Sequence, residues 1–128
     1  MTSYRLRRTD QPTEIIVVDG LDADGLVSIP GKKLSIGRIA SNEVRVTLRG
    51  ARPVLGGSTS YVIEETEKDG WTIAHTGHTG SMEVDDARFA KGSAPLRDGS
   101  RIELFRSDTK ETAVAFTFEV DDRVAETP

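Results

Sequence analysis

The sequence contains no cysteine, and only 5% of its 128 residues are aromatic. Disulfide bonds and thiolate metal sites are therefore excluded. The longest purely apolar run is about four residues, at 15–18, whereas a membrane-spanning helix needs roughly 20. The basic first ten residues also lack the apolar stretch of a secretion signal. These absences predict a cytoplasmic protein with no membrane insertion.

A helical stripe is also lacking, because glycine or proline interrupts every window that could form one. Apolar and polar residues instead alternate in short segments between turn residues. The pattern is clearest at 112–120, where Val114, Phe116, Phe118 and Val120 share one face. The predicted strands are 4–7, 14–18, 26–29, 33–37, 43–48, 60–64, 70–75, 82–84, 88–89, 101–104 and 112–120.

About eleven short strands are too many for one open sheet in a chain of this length. The sequence therefore predicts an all-β sandwich of two packed sheets. Residues 50–58 hold three glycines and a proline and are predicted to form a loop. We expect one domain over residues 1–120 and a polar C-terminal tail over residues 121–128.

The charge of the chain bears on nucleic-acid binding. A net charge of −4 disfavours non-specific binding, which depends on basic surfaces. Local basic contacts stay open at two clusters, Arg5, Arg7 and Arg8, and Arg45, Arg49 and Arg52. Solvated strand faces are the more common explanation for each cluster.

No catalytic constellation is present, so we expect no enzymatic activity. The two histidines, His75 and His78, lie in one turn, and no nucleophile elbow or phosphate-cradling glycine loop before a helix occurs. Together with Asp85 and Asp86 they resemble a zinc ligand set in composition. Their spacing in a strand and turn does not aim both rings at one point, so neither a metal nor another cofactor is expected.

Three segments, in order, resemble the motifs of forkhead-associated (FHA) domains. Residues 34–46 (LSIGRIASNEVRV) are similar to the opening I-G-R-x-x-x-N-D-I-x-L. Residues 70–86 (GWTIAHTGHTGSMEVDD) resemble G-W-x-I followed by G-S-T-N-G-T-x-V-N-G. Residues 96–104 (LRDGSRIEL) resemble L-x-D-G-D-x-I-x-L. The resemblance extends over residues 12–120 and implies an FHA-like β-sandwich whose loops at one end bind phosphothreonine peptides.

The resemblance also implies which residues bind the phosphopeptide. Arg38 would contact the phosphate, which carries about −1.5 to −2 charges, or would brace its loop by pairing with an acid. Thr79 holds the threonine position of S-T-N-G, although a turn threonine also caps its own loop. His78 stands where the motif has serine. The implied binding residues are Arg38, Ser58, Thr59, Ser60, His78 and Thr79.

The sequence departs from the FHA motifs at several positions. No S-R-x-H stands in register between residues 48 and 63, and its serine position falls on Gly57. Gly80 replaces the asparagine that holds the peptide backbone. Asp85 and Asp86 replace the asparagine and glycine of V-N-G, and we expect their carboxylates near the same end, where they would oppose a phosphopeptide.

Three functional interpretations remain open. In the first, the chain binds phosphothreonine peptides. In the second, it is a degenerate FHA-fold scaffold that binds a protein partner without phosphate. In the third, it binds nucleic acid through Arg45, Arg49 and Arg52. The first two imply a protein or phosphorylated peptide as partner. In bacteria the resemblance implies serine/threonine kinase substrates or secretion-system components as partners.

Overall fold

The computed structural model describes residues 3–11, 16–29, 31–37, 41–48, 52–53, 59–68, 70–76, 81–89, 92–106 and 111–121. Side chains are described for these residues except Leu48, Arg52, Pro53, Thr59, Ser60, Phe89 and Asp121. Of the predicted tail over residues 121–128, only Asp121 is described, and it ends a strand; the other residues lie outside this part of the chain, so the predicted domain boundary stays a prediction.

Thirteen β-strands form within the described residues. They are β1 (Ser3–Arg8), β2 (Ile16–Asp19), β3 (Leu26–Ser28), β4 (Lys33–Gly37), β5 (Val44–Leu48), β6 (Arg52–Pro53), β7 (Thr59–Thr66), β8 (Gly70–His75), β9 (Met82–Val84), β10 (Ala87–Phe89), β11 (Gly92–Pro95), β12 (Arg101–Phe105) and β13 (Thr112–Asp121). This part of the chain contains no helix long and apolar enough to cross a membrane.

The strands form two packed sheets, which confirms the predicted all-β sandwich. One sheet has six strands in the order β10-β9-β12-β13-β1-β3. The other has seven, in the order β11-β8-β7-β4-β5-β2, with β6 paired to β5 beyond the end of β4. Neighbouring strands are antiparallel except β4 and β5, which run parallel over two residue pairs.

Two strands were not predicted. β6 lies within residues 50–58, so the prediction that this whole segment is a loop was wrong. β11 is an edge strand, and Ala94 is its only buried side chain. One inward residue is too few to produce the alternation by which the other strands were identified.

The core lies between the sheets and consists mainly of the apolar residues that alternate with polar ones along each strand and point inward. Val114, Phe116 and Phe118 of β13 are buried, and Val120 packs against them at the end of the strand. Trp71 of β8 faces them, with its ring centroid 5.6 Å from that of Phe118. Burial of such side chains, worth about 1.5–3 kcal/mol each, is the main stabilising contribution to the sandwich.

The arginines of β1 are paired with acids, Arg5 and Arg7 on the outer face of the six-stranded sheet and Arg8 at the end of the strand. Arg5 and Arg7 each donate from Nε to Glu119 of β13, over 2.8 and 2.7 Å. Arg8 pairs with Asp10 over 2.9 Å. This cluster therefore supports the solvated-strand interpretation, since its charges bind neighbouring carboxylates.

The strands run so that several connections meet at one end of the sandwich, here called the upper end. There β4 ends at Gly37, β7 begins at Thr59 and β8 ends at His75. The opposite, lower end contains the turn between β9 and β10 and the segment 96–100. The register therefore assigns the strand ends that flank each predicted site segment to one end of the sandwich.

Candidate functional site

The upper end brings together the strand ends that flank the predicted phosphopeptide loops. Gly37 pairs with Thr59 across the ladder between β4 and β7. Arg38 directly follows Gly37 in the sequence, and Ser58 directly precedes Thr59. The segments that carry two of the predicted phosphate ligands therefore leave the sheet at paired positions.

The predicted site residues themselves fall mostly outside the described residues. Arg38, Ser58, His78 and Thr79 lie there, whereas Thr59 and Ser60 are described by their backbone alone, as the first two residues of β7. Their roles in binding therefore stay predictions, and the site has to be built from the residues that flank them.

Residues 41–43, between the 38–40 segment and β5, are held firmly against the sheet. The Glu43 carboxylate accepts hydrogen bonds from the backbone N–H of Ser35, at 3.1 Å, and from its hydroxyl, at 3.3 Å. Asn42 is buried, and its carbonyl accepts a hydrogen bond from Nη1 of Arg45 over 3.4 Å. Gly20 approaches from the other side so closely that a Cβ on it would lie 2.0 Å from the Glu43 carbonyl oxygen.

Glu43 was not predicted as a site residue, although it occupies the aspartate position of the N-D-I motif. The hydropathy pattern carries no signal for it, because its partner Ser35 lies eight residues away on another strand. Its contact shows what an acid at that motif position does here: it fastens the end of the 38–43 connection to β4.

The other predicted loop, 77–80, is flanked by two residues that both contact Tyr61 of β7. The Tyr61 ring is 1% exposed and stacks on His75, with centroids 4.8 Å apart and an interplanar angle of 22°. Its hydroxyl donates to the Ser81 carbonyl over 3.0 Å. The same carbonyl accepts from the Phe105 N–H of β12 over 3.1 Å. Ser81 therefore joins the two sheets at the upper end.

Burial raises the pKa of Tyr61 well above its usual value. The phenol therefore keeps its proton across the physiological pH range and remains the donor to Ser81. No sequence pattern pointed to this hydroxyl, since Tyr61 reads as one more inward residue of its strand.

Asp85 and Asp86 do not lie at the upper end, so that expectation was wrong. They form the turn after β9, and Ser81 precedes β9, so about 13 Å of extended chain separates Ser81 from Asp85. The Asp85 carboxylate accepts from the Ser100 hydroxyl at 3.0 Å and from the Arg101 N–H at 2.9 Å. It is engaged in closing the lower end rather than in opposing a phosphopeptide.

This geometry also separates the residues considered for a metal site. His75 ends β8 at the upper end, whereas Asp85 and Asp86 belong to the lower end. Among the residues that the structure describes, no group of three or more potential metal ligands occurs. His78 lies outside them.

The second arginine cluster is only partly described. Arg45 donates to the carbonyl of Asn42 and is the cross-strand neighbour of Asp19. Arg49 lies outside the described residues, and the side chain of Arg52 is not described. A nucleic-acid surface along these arginines stays a prediction.

Comparison with known proteins identifies the fold. No protein-family model matches the sequence, and no curated protein matches it. A solution structure of the FHA domain of an Arabidopsis thaliana hypothetical protein is similar, with a TM-score of 0.58, 21% identity, and coverage of 91% of this chain and 84% of that one. An engineered FHA domain with a Myc-pTBD peptide is also similar, with a TM-score of 0.65, 13% identity, and coverage of 97% and 95%.

Both similarities extend over most of this chain and of the matched chain, at identities that establish fold alone. The strand order, the sheet pairing and these two structures agree with the resemblance seen in the sequence motifs. The chain has the β-sandwich fold of FHA domains.

Proposed function

We propose that this domain is a protein-interaction module that binds phosphothreonine peptides at its upper end. The observation that carries the proposal is the pairing of Gly37 with Thr59, which brings together the strand end directly before Arg38 and the strand start directly after Ser58. The engineered FHA domain of similar fold has a peptide in its structure, which supports a peptide ligand.

The residue types at these positions suit a phosphate. Arg38 supplies a guanidinium that donates two parallel hydrogen bonds to phosphate oxygens. The hydroxyls of Ser58, Thr59, Ser60 and Thr79 supply neutral donors. Because Asp85 lies at the lower end, its carboxylate does not repel a phosphate bound at the upper end. This departure from the family motifs therefore does not argue against phosphopeptide binding.

The test is binding of a degenerate phosphothreonine-peptide library, with the unphosphorylated library beside it. We expect phosphate-dependent capture by the wild-type domain. Arg38→Ala should weaken it by about 10- to 100-fold, because losing a hydrogen bond to a charged group costs about 1.5–3 kcal/mol. Titration calorimetry with one selected peptide gives the dissociation constants.

Arg97→Ala is the matched control. Arg97 is exposed in the segment 96–100 at the lower end, so the variant loses the same charge away from the predicted site. Its affinity should equal that of the wild type. Equal weakening in both variants would show a general charge effect, and equal capture of both libraries would contradict phosphate recognition.

A second candidate function is binding of a protein partner without phosphate. It is favoured by the absent S-R-x-H motif and by Gly80 at the asparagine position. Partner binding that survives both Arg38→Ala and phosphatase treatment would support this scaffold interpretation over the first.

In this proposal the domain recognises a partner and catalyses no reaction, and it requires no cofactor. The partner is then a phosphorylated protein. That this partner is a serine/threonine kinase substrate or a secretion-system component, and that binding takes place in the cytoplasm, stay predictions.

A further inference from the structure

We infer that Tyr61 is the positioning residue of the upper end, holding both flanks of the 77–80 segment and with them the predicted contacts His78 and Thr79. The inference rests on the proposed function for its consequence in binding. Its structural part stands on contacts among described residues alone.

Two separate contacts connect Tyr61 to the two flanks. On the N-terminal side, His75 lies directly opposite Tyr61 in the ladder between β7 and β8, and the two rings stack. On the C-terminal side, the Tyr61 hydroxyl donates to the carbonyl of Ser81, 20 residues away in the sequence. One rigid side chain therefore spans the base of the segment and fixes the spacing of its ends.

The Ser81 carbonyl connects the two sheets through the hydrogen bonds that it accepts. It accepts the Tyr61 hydroxyl from the seven-stranded sheet and the Phe105 N–H from the six-stranded sheet. Both of its lone pairs are thereby used. Removing the hydroxyl leaves the Ser81 carbonyl bonded to the Phe105 N–H alone, so the spacing between Ser81 and β7 is no longer fixed by this contact.

Tyr61 also connects the two predicted loops. It directly follows Ser58, Thr59 and Ser60 in the sequence, the last two as the first residues of β7, and it holds the flanks of the segment that contains His78 and Thr79. One buried side chain is therefore connected to both sets of predicted peptide contacts. A ligand that touches both sets gains from their fixed separation, because preorganised groups lose less entropy on binding.

The deciding variant is Tyr61→Phe, which keeps the ring stacked on His75 and removes only the hydroxyl. Ser100→Ala is its matched control, since Ser100 is also buried and its hydroxyl donates one hydrogen bond, to Asp85 at the lower end. Peptide affinity is measured by calorimetry with the phosphothreonine peptide selected by the wild-type domain. Concentrations are corrected for the folded fraction.

We expect Tyr61→Phe to weaken peptide binding about fivefold, equivalent to about 1 kcal/mol, while Ser100→Ala leaves affinity unchanged. Tyr61→Leu, which loses the stacking as well, should weaken binding further. An unchanged affinity in Tyr61→Phe, or an equal loss in Ser100→Ala, would overturn the positioning role.

Amide hydrogen exchange gives a readout that needs no peptide. The Phe105 N–H, bound to Ser81, should exchange faster in Tyr61→Phe than in the wild type, whereas the Leu96 N–H, bound to Trp71 at 2.8 Å, should not. If the wild-type domain captures no phosphopeptide, the proposed function fails while this experiment still decides the inference. Unchanged exchange at Phe105 would refute it.

Discussion

At the scale of single residues, Asp85 and Asp86 make the two-residue turn between β9 and β10. Their φ angles are 49° and 71°, in the left-handed region that two-residue hairpins of type I′ require at both positions. Aspartate tolerates this region better than most residues because its short polar side chain bonds locally. The Asp85 carboxylate instead bonds partners distant in the sequence, the Ser100 hydroxyl and the Arg101 N–H, and both aspartates are exposed.

We expect Asp86→Gly to be more stable than Asp86→Ala by about 1 kcal/mol, because alanine is strained at a positive φ and glycine is not. Urea unfolding of the two variants measures the difference. At Thr117, in β13, the order should reverse, since glycine weakens a strand relative to alanine. The same order at both positions would show that backbone strain at Asp86 is negligible.

At the scale of elements, β4 and β5 run parallel over only two residue pairs, and Glu43 fastens them where backbone pairing is short. Its carboxylate takes the place of a backbone acceptor for the Ser35 N–H. The end of the connection that carries Arg38 is therefore set by a side chain as well as by the ladder.

Glu43→Ala should lower the free energy of unfolding by about 1–3 kcal/mol, because it leaves two partly buried donors of Ser35 without their acceptor. Glu67→Ala, which removes an exposed carboxylate near the lower end, should change it little. The urea midpoints of the two variants decide the matter. Equal midpoints would show that water replaces the Glu43 contact at no cost.

The sequence predicted the strands that show a regular alternation of apolar and polar residues. It did not predict the features that depend on contacts between distant segments. The inward alternation of 112–120 is enough to identify β13, whereas β11, with Ala94 alone facing inward, has no such signature. The hydrogen bonds from Ser35 to Glu43 and from Tyr61 to Ser81 join different segments of the chain, so no local pattern indicates them. The motif resemblance misplaced Asp85, because the length of β9 decides which end its turn reaches, and the phosphopeptide residues that the motifs imply stay predictions.

At the scale of the whole molecule, Glu119 joins the first strand to the last. Hydrogen bonds from Arg7, and then from Arg5, hold the pKa of Glu119 below its usual value, against the opposing effect of partial burial. Because the folded pKa is the lower one, the stabilisation is present above the unfolded value of 4.5 and is lost as the pH falls through the folded pKa.

The difference in urea midpoint between the wild type and Glu119→Gln should therefore be largest near pH 7 and should shrink as the pH falls below about 4.5. Unfolding curves at pH 7, 5, 4 and 3 measure it. Glu67→Gln, with its exposed carboxylate, serves as the reference. A difference that stays constant down to pH 3 would mean that Glu119 contributes through packing rather than through charge.

The pairing of β1 with β13 has a consequence for how the protein is made. β13 lies between β12 and β1, in the interior of the six-stranded sheet, and its contacts reach partners 114 residues earlier, as between Arg5 and Glu119. During translation, β1 can pair early with β3, as Arg5 does with Ser28, but its other neighbour, β13, leaves the ribosome only after almost the whole domain has followed. The six-stranded sheet is therefore completed late, and shortening β13 would leave unpaired backbone on β12 and β1, two strands that lie in the interior of the native sheet.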